Sequence, residues 1–147
     1  MLTTEEIAAA RAASGLTRQV DKAVTAIGLS VAQYRVLAIL AEQTAAAGLL
    51  AERLAVRPPS VTSLVDGLVA KGLVRRGADA GDRRRQVLEV TAEGEVVLGQ
   101  ADAVVVARLR ELADRLDARR ADRAITSLSD WGTALERARA EKLAAQP

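Results

Sequence analysis

The spacing of apolar and polar residues predicts a series of helices, and the first two start at capping motifs. Thr3 is followed three residues later by Glu6. Ser30 is followed at the same distance by Gln33. In such a pair the two side chains satisfy N–H groups at the start of a helix. Gly28 can adopt the positive φ at which a helix ends, so it separates the two predicted helices. Between the motifs the apolar residues recur at helical spacing; they are Leu16, Val20, Ala23 and Ile27.

A short third helix and a longer fourth helix are predicted on either side of a proline pair. The third helix holds residues 50–54. Because the missing N–H of proline is no loss in the first turn of a helix, we expect the fourth helix to begin near Pro58 or Pro59 and to end at Gly72. One face of this helix is apolar and the other carries small polar residues. The predicted buried face consists of Val61, Leu64, Val65 and Leu68.

The period then changes from helical to extended. Residues 73–76 are extended in character, and residues 77–82 contain two glycines and two aspartates, which is typical of a turn. Residues 86–90 alternate partly and are rich in β-branched side chains. We therefore predict a β-hairpin that carries three consecutive arginines, 83–85, at its tip or just past it.

Two more helices are predicted after the hairpin, with Thr91 capping the fifth and Asp117 capping the sixth. The predicted fold class is mainly α with a small β-hairpin wing (α+β), a winged helix-turn-helix with flanking helices. In such a unit the helix after the turn enters the major groove of DNA. An arginine-bearing hairpin can reach an adjacent minor groove, whose negative potential attracts guanidinium groups.

The composition excludes several kinds of chemistry. The chain has no Cys and no His, so thiol and imidazole catalysis are impossible and zinc, copper or nickel sites are not expected. Since no paired-carboxylate motif or phosphate loop occurs either, we predict no catalytic residues, no cofactor and no metal, in a protein that is not an enzyme. No apolar run approaches the ~18 residues of a membrane span, and no signal-peptide pattern is seen. We expect a cytoplasmic protein without a membrane partner.

Positive charge is concentrated in one stretch of a nearly neutral chain. Residues 57–90 contain seven basic and four acidic side chains, a balance of +3, whereas the whole chain carries +2. Such a block is the electrostatic footprint of a nucleic-acid-binding surface. A solvated loop is the alternative interpretation.

Residues between 33 and 94 also match a family pattern. The matching segments are QYRVL at residues 33–37, LAERLAV at 50–56, PSVT at 59–62, LVD at 64–66 and KGLVRR at 71–76. The most specific segment is Asp82-x-Arg84-x-x-x-Leu88-x-Val90-Thr91, followed by Gly94. Together they resemble the MarR family of transcriptional regulators, whose wing signature has Leu where this chain has Val90. The resemblance covers residues 30–95 closely and the flanks only by their helical pattern.

The resemblance implies a homodimer that binds a pseudo-palindromic operator, usually as a repressor. It implies one domain over residues 1–147, with a DNA-binding lobe at 30–91 and a helical dimerisation lobe formed by 1–28 and 92–147. It also implies that a small, often phenolic, ligand releases the DNA. The absence of Cys and His removes the peroxide-sensing and zinc-sensing mechanisms of the family.

The winged helix and the resemblance together assign DNA-contacting residues to the fourth helix and the wing. They are Arg57, Pro59, Ser60, Thr62, Ser63, Lys71, Arg75, Arg83, Arg84 and Arg85. The sequence departs from the family pattern, since Arg57 stands where a Ser cap is common. Ser63 and Gly67 stand where basic residues are often found, and the fourth helix has no Arg or Lys before Lys71. We therefore expect the wing to supply more of the DNA affinity than is typical.

Residues of the wing have a second interpretation. Asp82 and Arg84 are candidates for stabilising the wing, because they can pair and fix its turn whether or not Arg84 also contacts DNA. Arg83 and Arg85 are expected to alternate in direction along a strand. Only one of the two is then expected to share the exposure of Arg84, and the other is a solvated charge.

Three residues are candidates for binding a ligand: Arg18, Tyr34 and Arg35. Arg18 and Arg35 are on helices that line the ligand cleft of the family, although a surface or salt-bridge role is favoured for each. Tyr34 and Trp131 are expected in the core rather than at a ligand, with Trp131 in the dimerisation lobe.

We therefore predict a regulator of transcription that binds specific double-stranded DNA as a homodimer, a repressor released by a small aromatic or phenolic ligand. The alternative is a winged helix that serves as a protein–protein interaction module without specific DNA binding. The weakly basic fourth helix favours that alternative, whereas the three arginines oppose it. Salt dependence separates the two, because DNA binding releases counterions and weakens steeply with salt.

Overall fold

The computed structural model of the chain describes residues 1–145. Within them the chain forms six helices and a two-stranded antiparallel sheet. The elements are α1 (Thr4–Thr25), α2 (Val31–Glu42), α3 (Ala47–Leu54), α4 (Pro58–Ala70), β1 (Val74–Ala78), β2 (Gln86–Val90), α5 (Ala92–Ala113) and α6 (Ala118–Ala144). The predicted fold class, mainly α with a small β-hairpin wing, is confirmed. Residues 146 and 147 of the predicted lobe 92–147 lie outside the described residues.

Both predicted capping motifs are present at the starts of α1 and α2. The Thr3 hydroxyl accepts a hydrogen bond from the Glu6 N–H at 3.1 Å, and the Glu6 carboxylate accepts one from the Thr3 N–H at 2.7 Å. Ser30 and Gln33 repeat the arrangement at 3.1 and 3.2 Å. Gly28 lies between the two helices with a φ of +80°, a conformation that its lack of a Cβ atom permits.

The central element of the winged helix is α2, which packs against α1, α3, α4 and β2. A helix that is apolar on more than one side can bury more than one face. Its buried residues are Val36, Leu37, Ile39 and Leu40.

The helix-turn-helix is formed by α3 and α4. The first of these begins at Ala47, three residues before the predicted 50–54, and Ala46 at its N-cap makes no side-chain hydrogen bond. The early start was missed because no polar capping residue marks it. Ala55 ends α3 in the left-handed region with a φ of +56°, which costs a residue with a Cβ atom about 1–2 kcal/mol. Helix α4 begins at Pro58, as predicted.

The wing is the antiparallel hairpin of β1 and β2, in which Arg75 is paired with Glu89. A further extended residue, Ala45, pairs with Leu88 through two backbone hydrogen bonds of 2.8 and 3.1 Å. Since Ala45 connects α2 to α3, this bridge fixes the middle of β2 against the start of the helix-turn-helix. The sequence did not predict it, because a bridge of a single residue has no periodicity.

Thr91 joins the hairpin to α5 and caps that helix, as predicted. Its hydroxyl donates to the Gly72 carbonyl oxygen at 2.7 Å and accepts from the Gly94 N–H at 3.0 Å. Its own N–H donates to the Leu73 carbonyl oxygen at 3.1 Å. These three bonds hold the end of β2, the turn before β1 and the start of α5 together.

The chain divides into two compact units, the first ending at Val105 and the second beginning at Val106, within α5. In the second unit α6 follows Asp117, whose carboxylate accepts from the Arg120 N–H at 3.1 Å and so provides the predicted cap.

One prediction for this unit is wrong. Trp131, expected in the core, is 68% exposed in the single chain. It shares this exposure with Leu128 and Leu135, which lie at helical spacing on α6. The physical reason is that a helix stripe is buried only where another element covers it, and the described residues leave this stripe uncovered.

Candidate nucleic-acid interface

Helix α4 presents a polar face to solvent because its apolar face is packed inward. Val61, Val65 and Leu68 are buried. The exposed residues of the first two turns are Pro58, Pro59, Ser60, Thr62 and Ser63. The Thr62 hydroxyl donates to the carbonyl oxygen of Pro58 at 3.3 Å. Four of the predicted contact residues therefore share one exposed stretch of helix.

Two predicted contact residues flank α4. Arg57 precedes it at the N-cap position, where its exposed side chain makes no capping hydrogen bond. Lys71 follows it, and its ammonium group donates to the carbonyl oxygen of Gly28 at 2.6 Å. This bond ties the end of α4 to the connection between α1 and α2. A DNA contact by Lys71 remains a prediction.

Two arginines of β1 form ion pairs with carboxylates elsewhere in the winged helix. Arg75 lies 2.5 Å from the Glu89 carboxylate on the paired strand. Arg76 pairs with Asp66 on α4, which links the wing to that helix. Sequence reasoning missed the second pair, because the nine intervening residues include a helix end and a turn. The charge of Arg75, a candidate for DNA contact, is thus partly neutralised by Glu89. Arg76 instead connects β1 to α4.

The turn of the wing is fixed by carboxylates that accept backbone N–H groups. Asp79 accepts from Gly81 at 2.7 Å and from Asp82 at 3.1 Å, and these two bonds hold the pKa of its carboxyl below the ordinary value. Asp82 accepts from the backbone N–H of Arg84 at 3.0 Å. The predicted wing-stabilising pair therefore acts through the main chain of Arg84, and its guanidinium takes no part. The role of Asp79 was missed, although an Asx turn in a Gly-Asp segment is a known signal.

The three wing arginines are exposed residues of this turn. Arg83 and Arg85 lie before β2 begins, so the expected alternation along a strand is wrong: a turn has no two-residue period. Among residues 1–145, neither Arg83 nor Arg84 has its guanidinium in an ion pair. Arg85 acts on Asp79 and helps to lower the pKa of that carboxyl. The turn thus presents exposed positive charge on a backbone that its own hydrogen bonds hold in place.

The three candidate ligand-binding residues do not share a hydrogen-bond partner among the contacts described for them. The Tyr34 hydroxyl donates to Asp102 on α5 at 2.6 Å, and burial together with this carboxylate raises the pKa of Tyr34. Arg35 donates to the carbonyl oxygen of Arg53 at 3.1 Å. Arg18 is an exposed residue of α1. Tyr34 is half-buried against a polar partner, so its predicted place in the core is confirmed only in part.

Residues 1–145 contain neither a metal-ligand cluster nor a membrane-spanning helix. No three His, Cys, Asp or Glu side chains come together there as ligands for a metal ion. No helix in that part of the chain has both the length and the apolar composition to cross a membrane.

Comparison with known families gives one match, over part of the chain. A family model described as the MarR family matches residues 27–85, which contain the helix-turn-helix, β1 and the three wing arginines. The matched stretch is also the one in which the exposed polar face of α4 lies.

Solved structures agree over most of the chain. The transcriptional regulator BldR from Sulfolobus solfataricus is 26% identical, with a TM-score of 0.70 over 93% of this chain and 99% of that one. CouR from Rhodococcus jostii RHA1, solved with p-coumaroyl-CoA bound, is 27% identical, with a TM-score of 0.68 over 86% of this chain and 87% of that one. Wild-type MarR from E. coli in its apo form shares the fold, at 20% identity and a TM-score of 0.75 over 88% and 96% of the two chains.

Proposed function

We propose that this chain is a MarR-family repressor that binds a pseudo-palindromic operator as a homodimer, because the family model matches residues 27–85 and the transcriptional regulator BldR shares its fold. In this proposal α4 enters the major groove and the wing contacts the adjacent minor groove. The contact residues are those predicted from the sequence, with Arg83 and Arg84 as the main source of positive charge.

One observation carries the proposal: the wing turn presents Arg83 and Arg84 without ion-pair partners among the described residues. By contrast, Lys71, Arg75 and Arg76 have partners within the chain. A guanidinium that is already paired must break that pair before it can bind phosphate, whereas an exposed one loses only water. The turn is also held by Asp79 and Asp82. A fixed turn loses less conformational entropy on binding than a mobile one.

The homodimer is supported by the exposed apolar side chains of α6. Leu128, Trp131 and Leu135 are 38%, 68% and 55% exposed in the single chain. A contiguous apolar stripe of this kind is typical of an interface. We propose that residues 1–28 and 92–147 form the dimerisation lobe and residues 30–91 the DNA-binding lobe, which together make one domain.

We propose further that a small aromatic or phenolic ligand releases the DNA. CouR was solved with p-coumaroyl-CoA, an aromatic thioester, bound. The proposed contacts are Arg18, Tyr34 and Arg35. Within the chain the Tyr34 hydroxyl donates to the Asp102 carboxylate at 2.6 Å. A phenolic hydroxyl of the ligand can take the place of Tyr34 as the donor to this carboxylate.

The experiment that tests the function is selection of bound sequences from random duplex DNA with the purified chain. Binding by a two-fold dimer predicts an inverted repeat whose half-sites are centred about 10 bp apart or a multiple of that. Affinity for the selected duplex should fall steeply with salt. If no sequence is enriched and binding to the pool does not depend on salt, the protein–protein interaction module is the better account.

A further inference from the structure

The exposed face of α4 carries few groups that can read bases. Between Pro58 and Ala70 the helix has no Arg, Lys, Asn or Gln, the side chains that make bidentate contacts to guanine or adenine. Asp66 could accept from cytosine, but its carboxylate is paired with Arg76. This leaves small hydroxyl residues and proline on the face that enters the major groove.

Thr62 differs from its serine neighbours in what it offers to a base. Its hydroxyl hydrogen is used in the bond to the Pro58 carbonyl oxygen at 3.3 Å. A hydroxyl has one hydrogen to donate, so the Thr62 oxygen cannot also donate to a base. What the exposed side chain still presents is its methyl group.

Pro59 extends this apolar surface. Residues three apart on a helix are neighbours, so the exposed Pro59 ring lies next to the exposed Thr62 side chain. In the major groove the apolar complement to such a surface is the 5-methyl group of thymine, which cytosine lacks and uracil lacks as well.

Resting on the proposed DNA binding, we infer that Thr62, together with Pro59, reads the 5-methyl group of one thymine in each half-site. Thr62 is then a specificity-determining residue of the recognition helix. The wing arginines supply affinity through charge, and Thr62 supplies discrimination between thymine and the other pyrimidines.

The test replaces each thymine of a selected duplex, one at a time, by deoxyuridine, which removes only the methyl group. For the unaltered protein, one thymine in each half-site should give about fourfold weaker binding, the effect of burying a single methyl group. Thr62→Ser keeps the hydroxyl and loses the methyl. It should bind the thymine duplex about fourfold more weakly per half-site and show no further loss with deoxyuridine.

Two variants serve as controls. Thr62→Val keeps a methyl group at the same position and loses the hydroxyl, so it should retain the deoxyuridine effect. Arg84→Ala should bind more weakly and also retain it. The inference is overturned if Thr62→Ser shows the same deoxyuridine effect as the unaltered protein, or if no thymine position is sensitive. Absence of any selected sequence would instead refute the proposed function, so the two failures are distinguishable.

Discussion

A Cβ atom on Gly94 would lie 2.1 Å from the carbonyl oxygen of Leu73. The first turn of α5 and the start of the hairpin can therefore approach each other only because position 94 has no side chain. This contact gives a physical reason for the glycine of the wing signature. It also brings the Thr91 hydroxyl within hydrogen-bonding distance of both Gly72 and Gly94.

Gly94→Ala should destabilise the protein by about 2–3 kcal/mol, since a clash with backbone cannot be relieved by a rotamer change. Gly99→Ala is the matched control on the same helix, because nothing lies within 4 Å of its Cβ position. It should stabilise the protein by about 0.5–1 kcal/mol through helix propensity. Urea unfolding of both variants checks the pair, and equal stabilities would contradict the close contact.

Ala55→Gly should stabilise the protein by about 0.5–1 kcal/mol. Ala55 has a φ of +56°, and relief of this strain exceeds the extra entropy that glycine gives to the unfolded chain. The same substitution at Ala10, an exposed residue within α1, should instead cost about 1 kcal/mol. Thermal unfolding measures both, and a lower melting temperature for Ala55→Gly would refute the left-handed conformation.

The local signals of the sequence predicted the elements well, whereas contacts between distant residues needed the structure. The caps at Thr3, Ser30 and Asp117 were found because each is encoded within four residues. The pairs Asp66–Arg76 and Tyr34–Asp102 depend on how helices pack. No short-range pattern encodes them.

At the candidate site, too, the sequence predicted local features but not contacts between distant residues. The sequence located the polar face of α4 and the arginine-bearing turn. It did not show which charges are already paired, so it ranked Lys71 and Arg75 with Arg84. The structure separates them, because Lys71 and Arg75 have partners within the chain.

Tyr34 is predicted to ionise well above the ordinary tyrosine pKa in the folded chain, because burial and Asp102 favour the neutral hydroxyl. Stability from the neutral form is fully present below the unfolded pKa of about 10, and is lost as the pH rises through the folded value. Tyr34 is the single tyrosine, so tyrosinate absorbance reports it alone. Tyr34→Phe should be less stable at neutral pH, and its deficit should shrink above the unfolded pKa. Ionisation of the folded chain at the unfolded value would contradict this account.

Trp131 should report dimer formation. It is the single tryptophan and is 68% exposed in one chain, so an interface over α6 should shift its emission to shorter wavelengths. Sedimentation should give about 31 kDa, twice the 15.5 kDa of the chain. Leu135→Asp should yield a monomer with red-shifted emission, whereas Ala80→Asp in the wing should remain a dimer. A monomer of the unaltered protein at micromolar concentration would exclude the proposed assembly.

Arg84 gives the most direct test of the central claim that the wing contacts DNA. The measurement is the affinity of Arg84→Ala for a selected duplex across a salt series, beside Arg108→Ala. Arg108 is a suitable control because it lies outside the proposed DNA interface, on α5, and pairs with Glu111 at 2.6 Å. Arg84→Ala should bind more weakly by about 1–3 kcal/mol. The slope of log K against log salt should become shallower by about 0.9 for each subunit that loses a phosphate contact. Arg108→Ala should match the unaltered protein in both quantities. Equal affinities and equal slopes for the two folded variants would contradict the account.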